Sequence, residues 1–454
     1  MRELDVWLEA FDAPIGRLRS DDYNLLSFRY DDAYLDRADA VSVSLSLPLT
    51  DEEIGDAPAR AYFANLLMEG KRLDDVCAGV DGRPPVDRDD IVGILEYLGR
   101  ECPGAVSIAP AGSPPGKRPG VLDEDYLPIL GDRLADNLRN LYDGRPIESG
   151  TEFSLAGVQS KIAVTVASDG TLMEPRPGSG APTTHILKVG DRHHDKLVVN
   201  EFLCLKLASA LGLPTADCTL DEHGGVEYLL VTRYDRELDY LAGTVRRVHQ
   251  EDCCQALGLP PRLKYERNGD RATGRIADFG RLFSLNSRMS SPADYRALMV
   301  KTCFFNFLVG NSDAHAKNFS LIHDGRRPRP APLYDLLCVG MYPRHSQEFA
   351  MSIGGRKTWD NVRREDWLMF LEVAEFKGAG AVRFLDRHLR PMAENAVREL
   401  ERLGGQYGIG PAPLQTIRAC LSQRIDHLNR TLEWNCGFDV DYPYRLPLQS
   451  ESDR

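Results

Sequence analysis

Residues 306–321 read Asn306-Phe-Leu-Val-Gly310-Asn311-Ser312-Asp313-Ala314-His315-Ala316-Lys317-Asn318-Phe-Ser-Leu, the most specific stretch of the chain. An apolar segment runs into a glycine, and Asp313 is followed five positions later by Asn318. That is the spacing of a phosphoryl-transfer loop, in which the carboxylate orients the attacking hydroxyl and the carboxamide ligates Mg2+. Asp and Asn are also common turn residues, so the surroundings decide. Here the motif lies between a buried-looking helical pattern and an apolar strand. Downstream, Pro332-Leu-Tyr-Asp335-Leu-Leu ends a short apolar run in a second carboxylate. Asn318 and Asp335 suit Mg2+, which takes few protein ligands and leaves room for substrate phosphates.

Working upstream, His185-Ile-Leu-Lys188-Val alternates like a strand, with Lys188 on the same face as Ile186. A lysine on that face suits neutralisation of nucleotide phosphates. Asn200 is placed to cap the following helix, whose apolar residues Phe202, Leu203, Leu207 and Leu211 recur at helical spacing. Glu201, in the first turn, is either an ion-pair partner for Lys188 or a helix-dipole group. No G-x-G-x-x-G precedes Lys188. In its place stands Ser154-Leu-Ala156-Gly157-Val158-Gln159-Ser160-Lys161, a run of potential backbone N–H donors.

The 454 residues predict two to four folding units, and the net charge of −13 opposes tight, sequence-independent binding of a nucleic-acid backbone. Ten cysteines without a C-x-x-C pair read as reduced thiols. The longest apolar run, residues 303–310, is far too short to span a bilayer, and a cytoplasmic protein is expected. Residues 4–8, 26–30 and 41–48 alternate like strands, and residues 59–67 and 89–98 carry helical patterns. A Pro/Gly-rich segment at 110–120 marks a linker. The expected division is an N-terminal module at 1–110, a linker and connecting helix at 111–150, a β-rich part at 151–236 and a mainly helical lobe at 237–454. Within that lobe, His249, Gln250 and Asp252 suit helix capping and lobe packing. The pair His193-His194 and the basic run 324–329 read as solvated loops.

Six ordered motifs resemble those of the HipA-type toxin kinases of bacterial type II toxin–antitoxin modules. They are the Ser154 to Lys161 run, Thr184-His-Ile-Leu-Lys188, Arg233-Tyr-Asp-Arg236, His249-Gln-Glu-Asp-Cys-Cys-Gln-Ala-Leu-Gly258, the Gly310 to Asn318 loop and Leu333-Tyr-Asp335. The resemblance implies an α+β, two-lobed kinase-like fold of the lipid-kinase branch with a small β-containing N-terminal module. It implies a serine/threonine protein kinase using ATP and Mg2+, with Asp313 as the catalytic carboxylate and Asn318 and Asp335 on the metal. Lys188, His315, Lys317 and Tyr334 would face the nucleotide, Thr232, Arg233 and Tyr234 would line its base, and Ala156 to Lys161 would cover its phosphates. Ser154 matches an autophosphorylated serine. The implied partners are a HipB-like helix-turn-helix antitoxin, operator DNA mainly through that antitoxin, and a protein substrate, an aminoacyl-tRNA synthetase, whose modification stops translation and favours persistence. Two alternatives stay open at this level: a catalytically idle corepressor, and a kinase for a small molecule or lipid.

Overall fold

The computed structural model describes residues 2–79, 84–145, 147, 161–194 and 196–437. Strands β1 (Arg2–Leu8), β2 (Gly16–Ser20), β3 (Leu26–Tyr30) and β4 (Val106–Pro110) form an antiparallel sheet in the order β3-β2-β1-β4. Alternation turns Leu4, Val6, Leu18 and Phe28 to one face, where Tyr62 and Phe63 of helix Asp56–Asn65 and Leu95 of helix Ile91–Leu98 complete a core. Residues 41–48 do not form the strand their alternation predicts. Val43 and Leu47 are buried, but the intervening hydroxyls serve the C-terminal lobe: Ser44 Oγ donates to Glu251 Oε2 (2.5 Å) and Ser46 Oγ to Gln255 O (2.6 Å). The period-two pattern therefore marks a docking loop.

Residues 111–150 do more than link. Strand β5 (Gly120–Val121) joins a small sheet with β12 (Arg236–Asp239) and β13 (Thr244–Arg247). Strand β6 (Tyr126–Pro128) closes one edge of a six-stranded sheet. Its other members are β7 (Lys161–Val166), β8 (Leu172–Pro175), β9 (His185–Val189), β10 (Cys218–His223) and β11 (Val226–Thr232), in the order β10-β11-β9-β7-β8-β6. Helix Gly131–Tyr142 packs Leu134, Leu138 and Leu141 on Val164, Leu187 and Val189 of that sheet. The opposite face, carrying Lys188, looks into a cleft.

The second lobe is not wholly helical. Strands β14 (His249–Asp252), β15 (Ser320–His323) and β16 (Arg329–Pro330) form a three-stranded sheet, and the Asp252↔Ser320 pairing sets β14 beside the end of the Asp313–Asn318 loop. Around it, helices Pro292–Val309, Arg364–Val373, Arg390–Gln406 and Pro411–Leu432 enclose Phe304, Phe307, Trp367, Leu400 and Ile425. The result is a two-lobed α+β fold with an added N-terminal module. All ten cysteines are free, and no helix among the described residues is long and apolar enough to cross a membrane.

Candidate active site

The loop that carries Asp313 is set by the end of helix Pro292–Val309. Gly310 caps it at φ 72°, a conformation that favours glycine, and a Cβ there would also lie 2.7 Å from Arg424 Nη2. The chain then folds on its own polar groups. The Asp313 N–H donates to Asn311 Oδ1 (3.2 Å), and Asn318 Nδ2 donates to the Asp313 carbonyl (3.1 Å). Asn318 thereby commits one amide hydrogen, which orients the carboxamide and keeps Oδ1, the atom a hard cation takes, as an acceptor.

Across the cleft, Lys188 is 6% exposed. Its Nζ donates to Glu201 Oε1 (2.6 Å) and to Asp335 Oδ1 (3.0 Å), joining strand, helix and second lobe. Asp335 reaches it from a left-handed backbone (φ 57°), a conformation Asp tolerates better than most residues. Burial works against the ammonium, but the two carboxylates outweigh it and hold Lys188 above its ordinary range. Lys188 in turn pulls Asp335 down to about 2, whereas burial pushes Glu201 up despite the lysine. Glu201 is fully buried in the second turn of helix Leu197–Ala210, so the helix-dipole role fails and the ion-pair role stands.

Asn200 corrects a second expectation. The helix starts after Lys196, and Asn200 lies inside it, fully buried. Its Nδ2 donates to Cys338 O (3.0 Å) and its Oδ1 accepts from Cys338 N–H (2.9 Å). It clamps the segment after Asp335 instead of capping a helix. His194 is likewise engaged: Nδ1 pairs with Asp191 (2.9 Å) and Nε2 meets His345 Nε2 at 2.8 Å.

Lys161, Lys188, Tyr234, Asp313, Asn318 and Asp335 all line one cleft of about 630 Å³. Thr232, Arg233, His315, Lys317 and Tyr334 border it as well. Lys161 stands across the β7–β9 ladder from Lys188. Tyr234 and Tyr334 stack at 5.8 Å, offering a flat aromatic wall at the end of β11. The Arg233 guanidinium is paired with Asp235, through Nε (3.0 Å) and Nη2 (2.9 Å). Burial lowers His315 to about 4 and keeps it neutral at pH 7. Lys317 is matched by Glu69 (3.0 Å) and Asp252 (3.8 Å). Ser154, Ala156, Gly157, Val158, Gln159 and Ser160 lie outside the described residues.

Two functional neighbours carry no local sequence signal. Glu69 comes from the N-terminal module and also binds Lys264 (2.7 Å). Tyr265 donates its OH to Asp313 Oδ1 (2.5 Å). Both depend on contacts between distant parts of the chain.

The N-terminal domain model of HipA matches residues 4–109, and the HipA-like C-terminal domain model matches residues 153–403. The chain belongs to the HipA family. Among HipA relatives it is 36% identical over 383 residues to the putative kinase Y4mE of Sinorhizobium fredii, covering 82% of this chain and 86% of that one. It is 32% identical over 313 residues to the serine/threonine-protein kinase toxin HipA of Shewanella oneidensis, covering 64% and 66% of the two. The fold matches a chain in the solved complex of the Shewanella oneidensis MR-1 toxin–antitoxin system HipA, HipB and its operator DNA. There the TM-score is 0.76 and the identity 26%, over 95% of this chain and 98% of that chain. A HipA-type kinase uses ATP and a divalent metal. The residues present fit both: a buried lysine between carboxylates, a free carboxamide oxygen at Asn318, and Glu201 Oε2 and His315 Nδ1 buried without partners among the described residues.

Proposed function

We propose that this chain is an ATP- and Mg2+-dependent serine/threonine protein kinase acting as the toxin of a toxin–antitoxin pair. The observation that carries the reading is Lys188 bridging Glu201 and Asp335 in the wall of the cleft that also holds Asp313 and Asn318. In this role Lys188 neutralises the inner phosphates of ATP and Glu201 positions it. Asn318 and Asp335 hold Mg2+, which when bound screens the phosphate charge. Thr232, Arg233, Tyr234 and Tyr334 form the base pocket, His315 and Lys317 back the catalytic loop, and Asp313 accepts the proton of the incoming hydroxyl. Ala156, Gly157, Val158, Gln159, Ser160 and Lys161 supply the phosphate loop.

Ser154 is the autophosphorylation site in this reading. A phosphate adds about −1.5 to −2 charges and would be repelled from a loop shaped to receive ATP phosphates. The partner is a HipB-like helix-turn-helix antitoxin, through which this acidic chain joins operator DNA; the likeness to the complexed Shewanella structure supports it. The substrate is a serine of a translation factor, an aminoacyl-tRNA synthetase, and its modification arrests growth.

Phosphopeptide mapping after incubation with Mg-ATP tests this directly. Phosphate is expected at Ser154 in the wild type and absent in both Asp313→Asn and Ser154→Ala, with Asp313→Asn lowering transfer by about 10²–10⁴-fold. No phosphate in any sample, with no ATP binding by calorimetry, would leave an idle corepressor. Phosphoproteomics of cells expressing wild type and Asp313→Asn tests the substrate, and the absence of an Asp313-dependent synthetase site would overturn that assignment.

A further inference from the structure

The phenol of Tyr265 sits where an acceptor hydroxyl belongs. Its OH donates to Asp313 Oδ1 at 2.5 Å, the bond an attacking hydroxyl makes to its general base before transfer. The main chain that presents it is pinned on both sides. Ala316 N–H donates to Lys264 O (3.1 Å), Glu266 N–H donates to Ala350 O (2.9 Å), and the Glu266 carboxylate takes the N–H (2.5 Å) and Oγ (2.9 Å) of Ser352. The ring itself is held by softer contacts. His315 meets it edge-on at 5.0 Å, and the exposed Arg267 guanidinium lies 4.1 Å from its centroid. Tyr265 is only partly buried, so a side-chain rotation clears Asp313 without moving the segment. Burial and the neighbouring carboxylate push the phenol's pKa up, and it remains a proton donor at neutral pH instead of becoming a second base.

We propose that Tyr265 is an acceptor gate: a positioning residue that competes with substrate hydroxyls and water for Asp313, so that phosphoryl transfer goes only to acceptors able to displace the phenol. The inference rests on Asp313 acting as the base. In the transfer step, the acceptor oxygen forms a bond to the γ-phosphorus and the bond from that phosphorus to the bridging oxygen of ADP breaks. The acceptor proton passes to Asp313. A phenol already donating to Oδ1 occupies both the acceptor's position and the destination of its proton. The hydrogen bond lost when Tyr265 leaves is replaced by one from the acceptor, so an acceptor anchored elsewhere on the surface displaces the gate, and an unanchored water does so less often.

ATP hydrolysis by the full chain needs no identified substrate and reads the gate with water as acceptor. Wild type, Tyr265→Phe, Tyr265→Leu and the double variant Tyr265→Phe/Asp313→Asn are compared with Mg-ATP, and transfer to a mixed library of serine and threonine peptides is measured alongside. Tyr265→Phe is expected to hydrolyse ATP about ten- to a hundredfold faster, the change expected on losing a hydrogen bond to a charged group. KM for ATP should stay unchanged, Tyr265→Leu should behave alike, and the double variant should be inactive. Library phosphorylation should rise in parallel. A residue that merely supports Asp313 would lower the rate when trimmed. Rates equal to or below wild type in both single variants, with Mg-ATP still bound, would overturn the gate and leave the kinase reading standing. Failure of wild type and variants alike to bind or hydrolyse Mg-ATP would overturn the kinase reading and the gate with it.

Discussion

Two lysines are buried in the walls of the same cleft, each between two carboxylates, and their settings differ. Lys188 bonds Glu201 and Asp335 and so ties the β-rich lobe to the segment after the Asp313 loop. Lys317 pairs with Glu69 and Asp252 and so ties that loop to the N-terminal module. Asp335 is 38% exposed at its side chain, so the first cluster opens toward the cleft and its charges can be shared with a ligand. Glu69 and Asp252 are 21% and 12% exposed, and the second cluster is closed by protein on its own account. Equal pairing therefore does not mean equal setting: in the proposed reading the open cluster serves the ligand, and the closed one holds the Asp313 loop to the N-terminal module.

The contrast breaks most visibly at Lys188. Lys188→Met should lower phosphoryl transfer by about 10²–10³-fold, the cost of removing one preorganised donor. It should also destabilise the fold by about 3–5 kcal/mol, because Glu201 is left buried without its counter-charge. Adding Glu201→Leu should return most of that stability and none of the transfer. Chemical denaturation and an ATP-dependent transfer assay on the two variants check both halves. If the double variant regained transfer, Lys188 would be structural only and the distinction between the clusters would fail.

How much of this was legible depended on sequence distance. Asp313 and Asn318 lie in one loop, and Lys188 and Glu201 are thirteen residues apart on adjacent elements, so local periodicity and spacing found them. Asp335 stood out at the end of its apolar run, but its bond to Lys188 closes 147 positions of chain and is visible only in the folded molecule. Glu69 and Tyr265 had no motif to announce them, since their roles arise from contacts with Lys317 and Asp313. The errors have the same origin. Asn200 looks like a cap by residue type, but its carboxamide satisfies the Cys338 backbone. Ser44 and Ser46 gave residues 41–48 a strand-like alternation, but their hydroxyls are directed at Glu251 and Gln255 across the docking surface.

Glu69 sharpens the contrast with a smaller effect. Burial opposes its charge, but Lys317 and Lys264 outweigh burial and bring it from 4.5 to about 2. A carboxylate depressed in the folded state adds stability above its unfolded pKa, and that contribution fades as pH falls from about 4.5 through about 2. Glu69→Gln should therefore cost about 2–3 kcal/mol at pH 7, and its stability deficit should shrink steadily in that acidic window. Transfer at saturating ATP should stay within about tenfold of wild type, since the open cluster is untouched. A loss of transfer as large as that of Lys188→Met would mean that the closed cluster also serves the ligand.

Asp252 should give the smallest change, and its direction is the informative part. Burial, opposed by Lys317, raises it from 3.8 to about 6. Its Oδ1 accepts from Gln255 N–H (2.9 Å), and Gln255 Oε1 accepts from Asp252 N–H (2.9 Å), a reciprocal cap on helix Cys253–Ala256. Asp252→Asn keeps that acceptor and resembles the protonated carboxyl, so stability at pH 4 should change by less than about 1 kcal/mol. A carboxyl raised in the folded state favours folding while protonated and loses that advantage as pH climbs from about 3.8 through about 6. The variant should therefore gain on wild type across this interval, opposite in sign to the response at Glu69, where the carboxylate is favoured. Denaturation midpoints at pH 4 and pH 7 for both variants read the two slopes side by side. Slopes of the same sign would show that Lys317 is held equally by both carboxylates and that Glu69, the residue reaching in from the N-terminal module, is not its dominant partner.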